Sequence, residues 1–119
     1  MSGTRALTLS AHAAIETVAA PAIMAAPFLL GFGQAASALA LAIGAMLLGL
    51  ALQTVSPGRT ISLSSHAAFD YVLAALAIVG GLVIGLGGGE WDSASFLVGI
   101  GVALVALTAS TRFTIAVGA

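Results

Sequence analysis

Long uncharged, apolar stretches dominate the chain and define its predicted elements. No charged residue occurs from Thr17 to Gly58, a run of 42 positions, whereas one helical crossing of a bilayer needs about 20 residues. This run therefore predicts two membrane-spanning helices, separated at the GFGQ segment of residues 31–34, where glycines permit a reversal. A second apolar pair follows, separated by the polar GGGEWDS segment of residues 87–93. We predict an all-α polytopic membrane protein with four transmembrane helices.

The four predicted helices form two tandem hairpins. The first hairpin covers residues 1–56, a linker on the cytoplasmic side covers residues 57–63, and the second hairpin with a short C-terminal tail covers residues 64–119. In chain order, the helices are expected at about residues 7–31, 35–55, 64–86 and 94–110. Because apolar segments recur to the end of the chain, the first helix is expected to be retained and not cleaved as a signal peptide.

The composition supports a membrane location and excludes several functions. Hydrophobic residues make up 61% of the chain and charged residues 6%, which leaves too little polar surface for a water-soluble globule. The net charge of −1 provides no basic patch, so a nucleic-acid partner is not expected. There is no cysteine, and no serine elbow, HExxH motif or phosphate-binding loop is present. We therefore expect a non-enzymatic protein whose partners are the lipid bilayer and either further copies of itself or other membrane subunits.

The few basic residues predict the orientation in the membrane. Arg5 precedes the first helix, Arg59 lies between the second and third, and Arg112 follows the fourth, so all three fall on one side of a four-helix arrangement. By the positive-inside rule this side is cytoplasmic. We expect a multi-pass protein of the cell membrane with both termini in the cytoplasm.

An internal repeat relates the two hairpins. The segment TLSAHAAIE of residues 8–16 matches SLSSHAAFD of residues 62–70 with five identities, at an offset of 54. The second helices match at an offset of 57, IGAMLLGLAL of residues 43–52 against IGVALVALTA of residues 100–109. We interpret the chain as a duplicated hairpin whose two copies have the same topology.

A family resemblance follows from the first hairpin. The segment AAPFLLGF of residues 25–32, followed by the IGAML helix, resembles the SPW-repeat membrane proteins. In that family a Ser-Pro-Trp motif lies in the first of two helices, whereas this chain has Ala26-Pro27-Phe28. The resemblance implies a helical membrane fold and no particular chemistry.

Small residues at four-residue spacing indicate where the helices pack. Gly81 and Gly85 form such a pair in the third helix, and small residues allow helices in lipid to approach closely. Packing within the bundle is the simpler interpretation, and a dimer interface is the alternative.

The repeated segment places a histidine and a carboxylate four residues apart in both halves. His12 can contact Glu16, and His66 can contact Asp70, because positions i and i+4 lie on one helix face. Ser10 and Ser64 are predicted as the N-caps of the two helices. Ionisable residues at this depth are costly in a membrane and usually face the bundle interior.

Three interpretations of these pairs remain open from the sequence. In the first, each histidine neutralises its own carboxylate and helps to hold helices one and three together. Alternatively, His12, Glu16, His66 and Asp70 converge and bind a divalent metal, for which imidazole and carboxylate suit zinc, iron or manganese, or His12 and His66 hold a haem or chlorin. The third interpretation is a proton- or cation-coupled transporter that uses the same residues. We favour a small membrane subunit or binding protein with a paired His/carboxylate site in the inner leaflet. The alternatives are the transporter and a purely structural subunit of a larger membrane complex.

Overall fold

The computed structural model describes residues 5–58 and 60–113, which form four helices. In chain order these are α1 (Leu9–Leu30), α2 (Gln34–Val55), α3 (Leu63–Gly88) and α4 (Trp91–Ala109). Each helix is long and apolar enough to cross a membrane. The predicted all-α fold with four membrane-spanning helices is confirmed. The largest difference in position is at α4, which begins at Trp91 because Asp92, in the first turn, is favourable at a helix N-terminus.

The N-caps of α1 and α3 lie two residues earlier than predicted. The prediction of Ser10 and Ser64 as caps is wrong, because Thr8 and Ser62 fill this role. The Thr8 side chain accepts a hydrogen bond from the amide of Ala11, and the Ser62 side chain accepts one from the amide of Ser65. These caps satisfy an amide that the helix itself leaves free, and they lie at equivalent positions of the repeat.

Two glycines allow each hairpin to close tightly. A Cβ atom added at Gly44 in α2 would lie 3.0 Å from the carbonyl oxygen of Ala20 in α1. A Cβ atom added at Gly101 in α4 would lie 2.7 Å from the carbonyl oxygen of Ala74 in α3. Gly101 follows Gly44 by 57 residues and Ala74 follows Ala20 by 54, so the two hairpins make the same contact at equivalent positions of the repeat. α1 packs along α2, α3 packs along α4, and α2 also contacts α3.

The small-residue pair in α3 packs inside the bundle. Gly85 lies against Trp91 and Ala94, and Gly81 lies against Ala94, Leu97 and Val98, all of which belong to α4. Both glycines are buried. This contact supports the packing interpretation of the pair over a dimer interface.

The loops at one end of the bundle are short and closely joined. Gly31 and Gly89 end α1 and α3 in the left-handed conformation, with φ of 70° and 71°, which glycine adopts without steric cost. The Glu90 carboxylate accepts a hydrogen bond of 3.1 Å from the amide of Gly33, at the start of α2. This contact links the two hairpins at the end that lies opposite the histidines.

The other end of the bundle carries two of the three arginines. The backbone amide of Leu7 donates to the carbonyl of Ser110, and the amide of Arg112 donates to the carbonyl of Leu7. This short parallel bridge places Arg5 and Arg112 at the same end. Arg59, the third residue of the predicted positive side, lies outside the described residues.

Candidate metal centre

The four predicted site residues converge in the interior of the bundle. His12 and Glu16 come from the N-terminal part of α1, and His66 and Asp70 come from the same part of α3. At most 2% of the surface of each residue is exposed. One ligand atom from each residue can be chosen such that all four atoms lie within 4.8 Å of one another. We refer to His12, Glu16, His66 and Asp70 as the four-residue cluster.

Contacts within the cluster run both along each helix and between the helices. Along the helices, Nε2 of His12 lies 3.0 Å from Oε2 of Glu16, and Nε2 of His66 lies 3.2 Å from Oδ2 of Asp70. Between the helices, Nε2 of His12 lies 2.8 Å from Oδ2 of Asp70, and Nε2 of His66 lies 3.4 Å from Oε1 of Glu16. The predicted pairs at i and i+4 are therefore present, and each histidine also contacts the carboxylate of the other hairpin.

A threonine orients each imidazole from the opposite side of the ring. Nδ1 of His12 lies 2.8 Å from the hydroxyl oxygen of Thr111, and Nδ1 of His66 lies 2.9 Å from that of Thr54. Each hydroxyl also donates to a carbonyl four residues earlier, at Leu107 and Leu50. Both halves of the chain build this arrangement in the same way.

These contacts assign the proton positions on the two rings. A hydroxyl has one hydrogen, and in both threonines it is donated to the backbone carbonyl, so the oxygen must accept from the imidazole. Nδ1 of His12 and of His66 is therefore the N–H donor. In a neutral imidazole, Nε2 then directs its lone pair towards Glu16 and Asp70. This is the tautomer in which histidine binds a metal through Nε2 while a second group holds Nδ1–H.

Several buried atoms of the cluster have no hydrogen-bond partner within the described part of the protein. These are both carboxylate oxygens of Glu16, Nε2 of His66 and Oδ1 of Asp70. Of the four nitrogen–oxygen contacts in the cluster, the one between His12 and Asp70 has hydrogen-bond geometry. Buried polar atoms are normally hydrogen-bonded, so the cluster has the capacity to bind an additional partner.

A phenylalanine covers the cluster at the end of the bundle that carries Arg5 and Arg112. The ring centroid of Phe113 lies 5.0 Å from that of His12 and 5.6 Å from that of His66. The two imidazoles meet edge to face, with centroids 5.6 Å apart. Phe113 follows the bridge between Leu7 and Thr111, so this backbone contact holds both Thr111 and the covering ring in place.

The sequence indicated the cluster but not the threonines that orient it. His12, Glu16, His66 and Asp70 stood out because ionisable residues recur at i and i+4 in an otherwise apolar chain. Thr54 and Thr111 were missed, although 57 residues separate them, which is the offset that relates α2 to α4. Extending that alignment to the helix ends would have revealed a matched pair of hydroxyls.

Comparisons with known proteins give no additional guide to the site. A scan against protein-family models finds no match, and searches of curated proteins and of solved structures find none either. The function is therefore inferred from the geometry of the cluster.

Proposed function

We propose that this chain is an integral membrane protein that binds one divalent metal ion through the four-residue cluster. The observation that carries the proposal is the convergence of four buried ligand atoms within 4.8 Å. The orientation of both Nε2 atoms towards the carboxylates supports it further. Such a site gives a binding function and requires no catalytic residue.

The dimensions of the cluster fit a small divalent ion. A tetrahedral zinc ion with bonds of about 2.0–2.1 Å keeps its ligand atoms about 3.3 Å apart. The nitrogen–oxygen distances in the cluster are 3.0, 2.8, 3.4 and 3.2 Å. Small side-chain movements would therefore bring the four groups to metal-binding distances. Two nitrogen and two oxygen ligands suit zinc, iron and manganese.

The charge of the cluster also favours a divalent cation. In the form that binds a metal, two ionised carboxylates and two neutral imidazoles carry a charge of −2, which without a counter-ion is strongly unfavourable in a buried site within a membrane. A divalent ion cancels this charge and supplies a partner for one oxygen of each carboxylate, which includes one of the unpaired oxygens of Glu16. The same ion would connect α1 to α3 and so join the two hairpins.

Simple neutralisation of each carboxylate by its own histidine explains fewer of the contacts. An N–H group points in one direction, so it can serve one acceptor well. In the cluster, Nε2 of each histidine faces Glu16 and Asp70 together, and three of these four contacts lack hydrogen-bond geometry. A metal ion shared by all four groups binds both Nε2 atoms and one oxygen of each carboxylate at the same time.

A haem or chlorin bound by both histidines fits the arrangement poorly. Oδ2 of Asp70 lies 2.8 Å from Nε2 of His12 and 3.2 Å from Nε2 of His66. A carboxylate thus occupies the position between the two rings where such a cofactor would have to insert.

Transport through the bundle is less well supported than metal binding. Beyond Glu16 the described core is built from apolar side chains such as Ile23, Ile43, Leu73 and Leu97. A proton or a cation needs polar groups along its path, and the described core offers no continuation of the cluster in this direction.

The proposal includes the orientation of the protein and its family. The positive-inside rule applied to Arg5, Arg59 and Arg112 places both termini, and with them the cluster, on the cytoplasmic side. The resemblance of Ala26-Pro27-Phe28 and its surroundings to the SPW-repeat proteins remains a prediction.

Metal analysis of matched carboxylate variants tests the proposal. Detergent-purified protein is stripped with a chelator, equilibrated with Zn²⁺, freed of excess metal and analysed for bound zinc. We expect one zinc ion per wild-type chain and a large loss in Glu16→Gln and in Asp70→Asn, which keep the side-chain size and remove the charge. Glu90→Gln and Asp92→Asn are the controls, because both residues are exposed at the opposite end of the bundle. Equal zinc binding by all five proteins would refute the proposed site.

A further inference from the structure

A fissure of about 290 Å³ separates α1 from α4 beside the cluster. Ile15 and Ala103 at its edges are exposed on the surface of the bundle that faces lipid. Of the described residues that line the fissure, Glu16 alone is ionisable, and the others are the apolar residues Ile15, Ala19, Ile23, Leu47, Ile100, Ala103, Leu104 and Leu107. The fissure therefore runs from the hydrocarbon region towards one carboxylate of the cluster.

Glu16 is the charged or polar side chain in the described lining of this fissure. Its surface is 1% exposed, and neither of its carboxylate oxygens has a hydrogen-bond partner in the described part of the protein. A buried carboxylate without a partner is costly. The site is therefore favourable for a molecule that brings a hydrogen-bond donor.

A second fissure lies at the equivalent position of the repeat, between α2 and α3, and does not reach the cluster. It has a volume of about 390 Å³ and is lined by Met46, Gly49, Leu50, Gln53, Ile61 and Phe69. In the repeat, Met46 corresponds to Ala103 and Phe69 corresponds to Ile15, so larger side chains occupy two equivalent positions. Asp70, the counterpart of Glu16, does not line this fissure. Of these two fissures, the one between α1 and α4 is therefore the one that reaches a carboxylate of the cluster.

We infer that the fissure between α1 and α4 admits a bilayer-dissolved hydroxy compound whose O–H group donates a hydrogen bond to Glu16. The ligand class is a neutral alcohol or phenol with an apolar tail. A neutral molecule is required because a charged head would not cross the hydrocarbon region, and a single polar group is required because the remaining walls are apolar. The volume lies near the lower end of the range for small-molecule sites, about 300 Å³, so the fissure encloses the head and the first part of the tail.

This inference deepens the proposed function, since the ligand reaches the metal-binding cluster. The inference and the proposed function can be tested separately. Access to Glu16 is measured on metal-free protein, whereas zinc binding is measured by the metal analysis above.

Chemical modification from the lipid phase tests the inference. Metal-free protein in liposomes is treated with dicyclohexylcarbodiimide, which dissolves in hydrocarbon, and the modified residues are mapped by mass spectrometry. The carboxyl O–H adds across a C=N bond of the reagent and the adduct rearranges to a stable N-acylurea, so no other reactant is consumed. We expect modification of Glu16 and not of Asp70. Modification of Asp70 at the same rate would overturn the inference.

Matched variants identify the route of entry. Ala103→Trp fills the fissure between α1 and α4 from a lipid-exposed position, and we expect it to slow the modification of Glu16 at least five-fold. Met46→Trp changes the equivalent position of the second fissure and should leave the rate unchanged. Equal rates in the two variants would show that the reagent does not enter between α1 and α4.

Competition on the wild-type protein tests the ligand class without any substitution. Decylphenol should protect Glu16 from dicyclohexylcarbodiimide, and decylbenzene, which has the same tail and no hydroxyl, should not. Equal protection by the two compounds, or none by either, would contradict a site for hydroxy compounds.

Discussion

At the scale of single residues, the most informative contacts are those of Thr54 and Thr111. Each hydroxyl accepts a hydrogen bond from Nδ1 of a histidine and donates its own hydrogen to a helical carbonyl. The direction of these bonds turns Nε2 of both histidines towards the carboxylates. In the proposed metal site, the threonines therefore orient both histidines without contacting the ion themselves.

The double substitution Thr54→Val/Thr111→Val should weaken metal binding. Valine keeps the shape of threonine but offers no acceptor to Nδ1–H, and loss of such outer contacts typically costs about 10- to 100-fold in metal affinity. The measurement is a zinc titration of the purified protein against a competing chelator. Thr17→Val is the matched control, because Thr17 also donates to a carbonyl four residues earlier but does not contact the cluster. An affinity equal to that of the wild type would contradict the role assigned to Thr54 and Thr111.

The candidate site could be predicted from the sequence in part. His12, Glu16, His66 and Asp70 were identifiable because a local rule, the i and i+4 spacing, puts each pair on one helix face. Their convergence and the role of Thr111 depend on tertiary contacts, since 99 residues separate Thr111 from His12. Such contacts have no signature in local spacing, and the offset of 57 was the one available indication.

At the scale of helices, the two hairpins close through equivalent glycines. Gly44 and Gly101 lie against the backbone of α1 and α3, where a methyl group would approach a carbonyl oxygen to 3.0 and 2.7 Å. Close approach of this kind is a main source of helix association in a bilayer, because apolar side chains gain little by exchanging contacts with lipid for contacts with another helix. The contact at Gly101 also fixes the spacing between α3 and α4.

Gly101→Ala should therefore destabilise the bundle. The added methyl group lies against a backbone carbonyl that cannot move away freely, and overpacking of this kind costs about 1–3 kcal/mol. Unfolding in mixed detergent micelles, followed by circular dichroism, provides the measurement. Gly99→Ala is the control on the same helix, because a Cβ at Gly99 meets nothing within 4 Å, and alanine is about 1 kcal/mol better than glycine in a helix. Similar stability of the two variants would argue against tight packing at Gly101.

Helix positions were predictable to within a few residues because the relevant signals are local. Uncharged stretches of sufficient length and the glycines at positions 31 and 89 mark where the chain must turn. The predicted start of α4, at about residue 94, lies three residues after the observed start at Trp91. The difference arises because Trp91, Asp92 and Ser93 belong to a polar segment that is typical of a loop. In the structure they form the first turn of α4, and the Ser93 hydroxyl donates to the carbonyl of Glu90.

At the level of the whole molecule, different contacts join the two hairpins at the two ends of the bundle. One end joins the hairpins through Glu90 and Gly33, and the other joins them through the bridge between Leu7 and Thr111. The cluster lies at this second end, which also carries Arg5 and Arg112. In the proposed orientation, this end of the bundle faces the cytoplasm.

Single cysteines should report this orientation, because the natural chain contains none. Ser56→Cys lies between α2 and α3, and Asp92→Cys lies near the opposite end of the bundle. We expect a membrane-impermeant maleimide to label Asp92→Cys on intact cells and Ser56→Cys only after the cells are opened. The reverse labelling pattern would place the cluster near the outer face and contradict the proposed orientation.

The metal-to-protein ratio tests whether the histidines and carboxylates of both hairpins share one metal ion. The measurement compares wild-type protein with the His12→Ala/His66→Ala double variant after equilibration with excess Zn²⁺ and removal of unbound metal. A visible spectrum of each sample detects any pigment, and circular dichroism confirms that both remain helical. We predict one zinc ion per wild-type chain, none in the double variant and no visible absorption band. A folded wild-type protein that retains no zinc would contradict the proposed metal site. So would a double variant that retains as much zinc as the wild type.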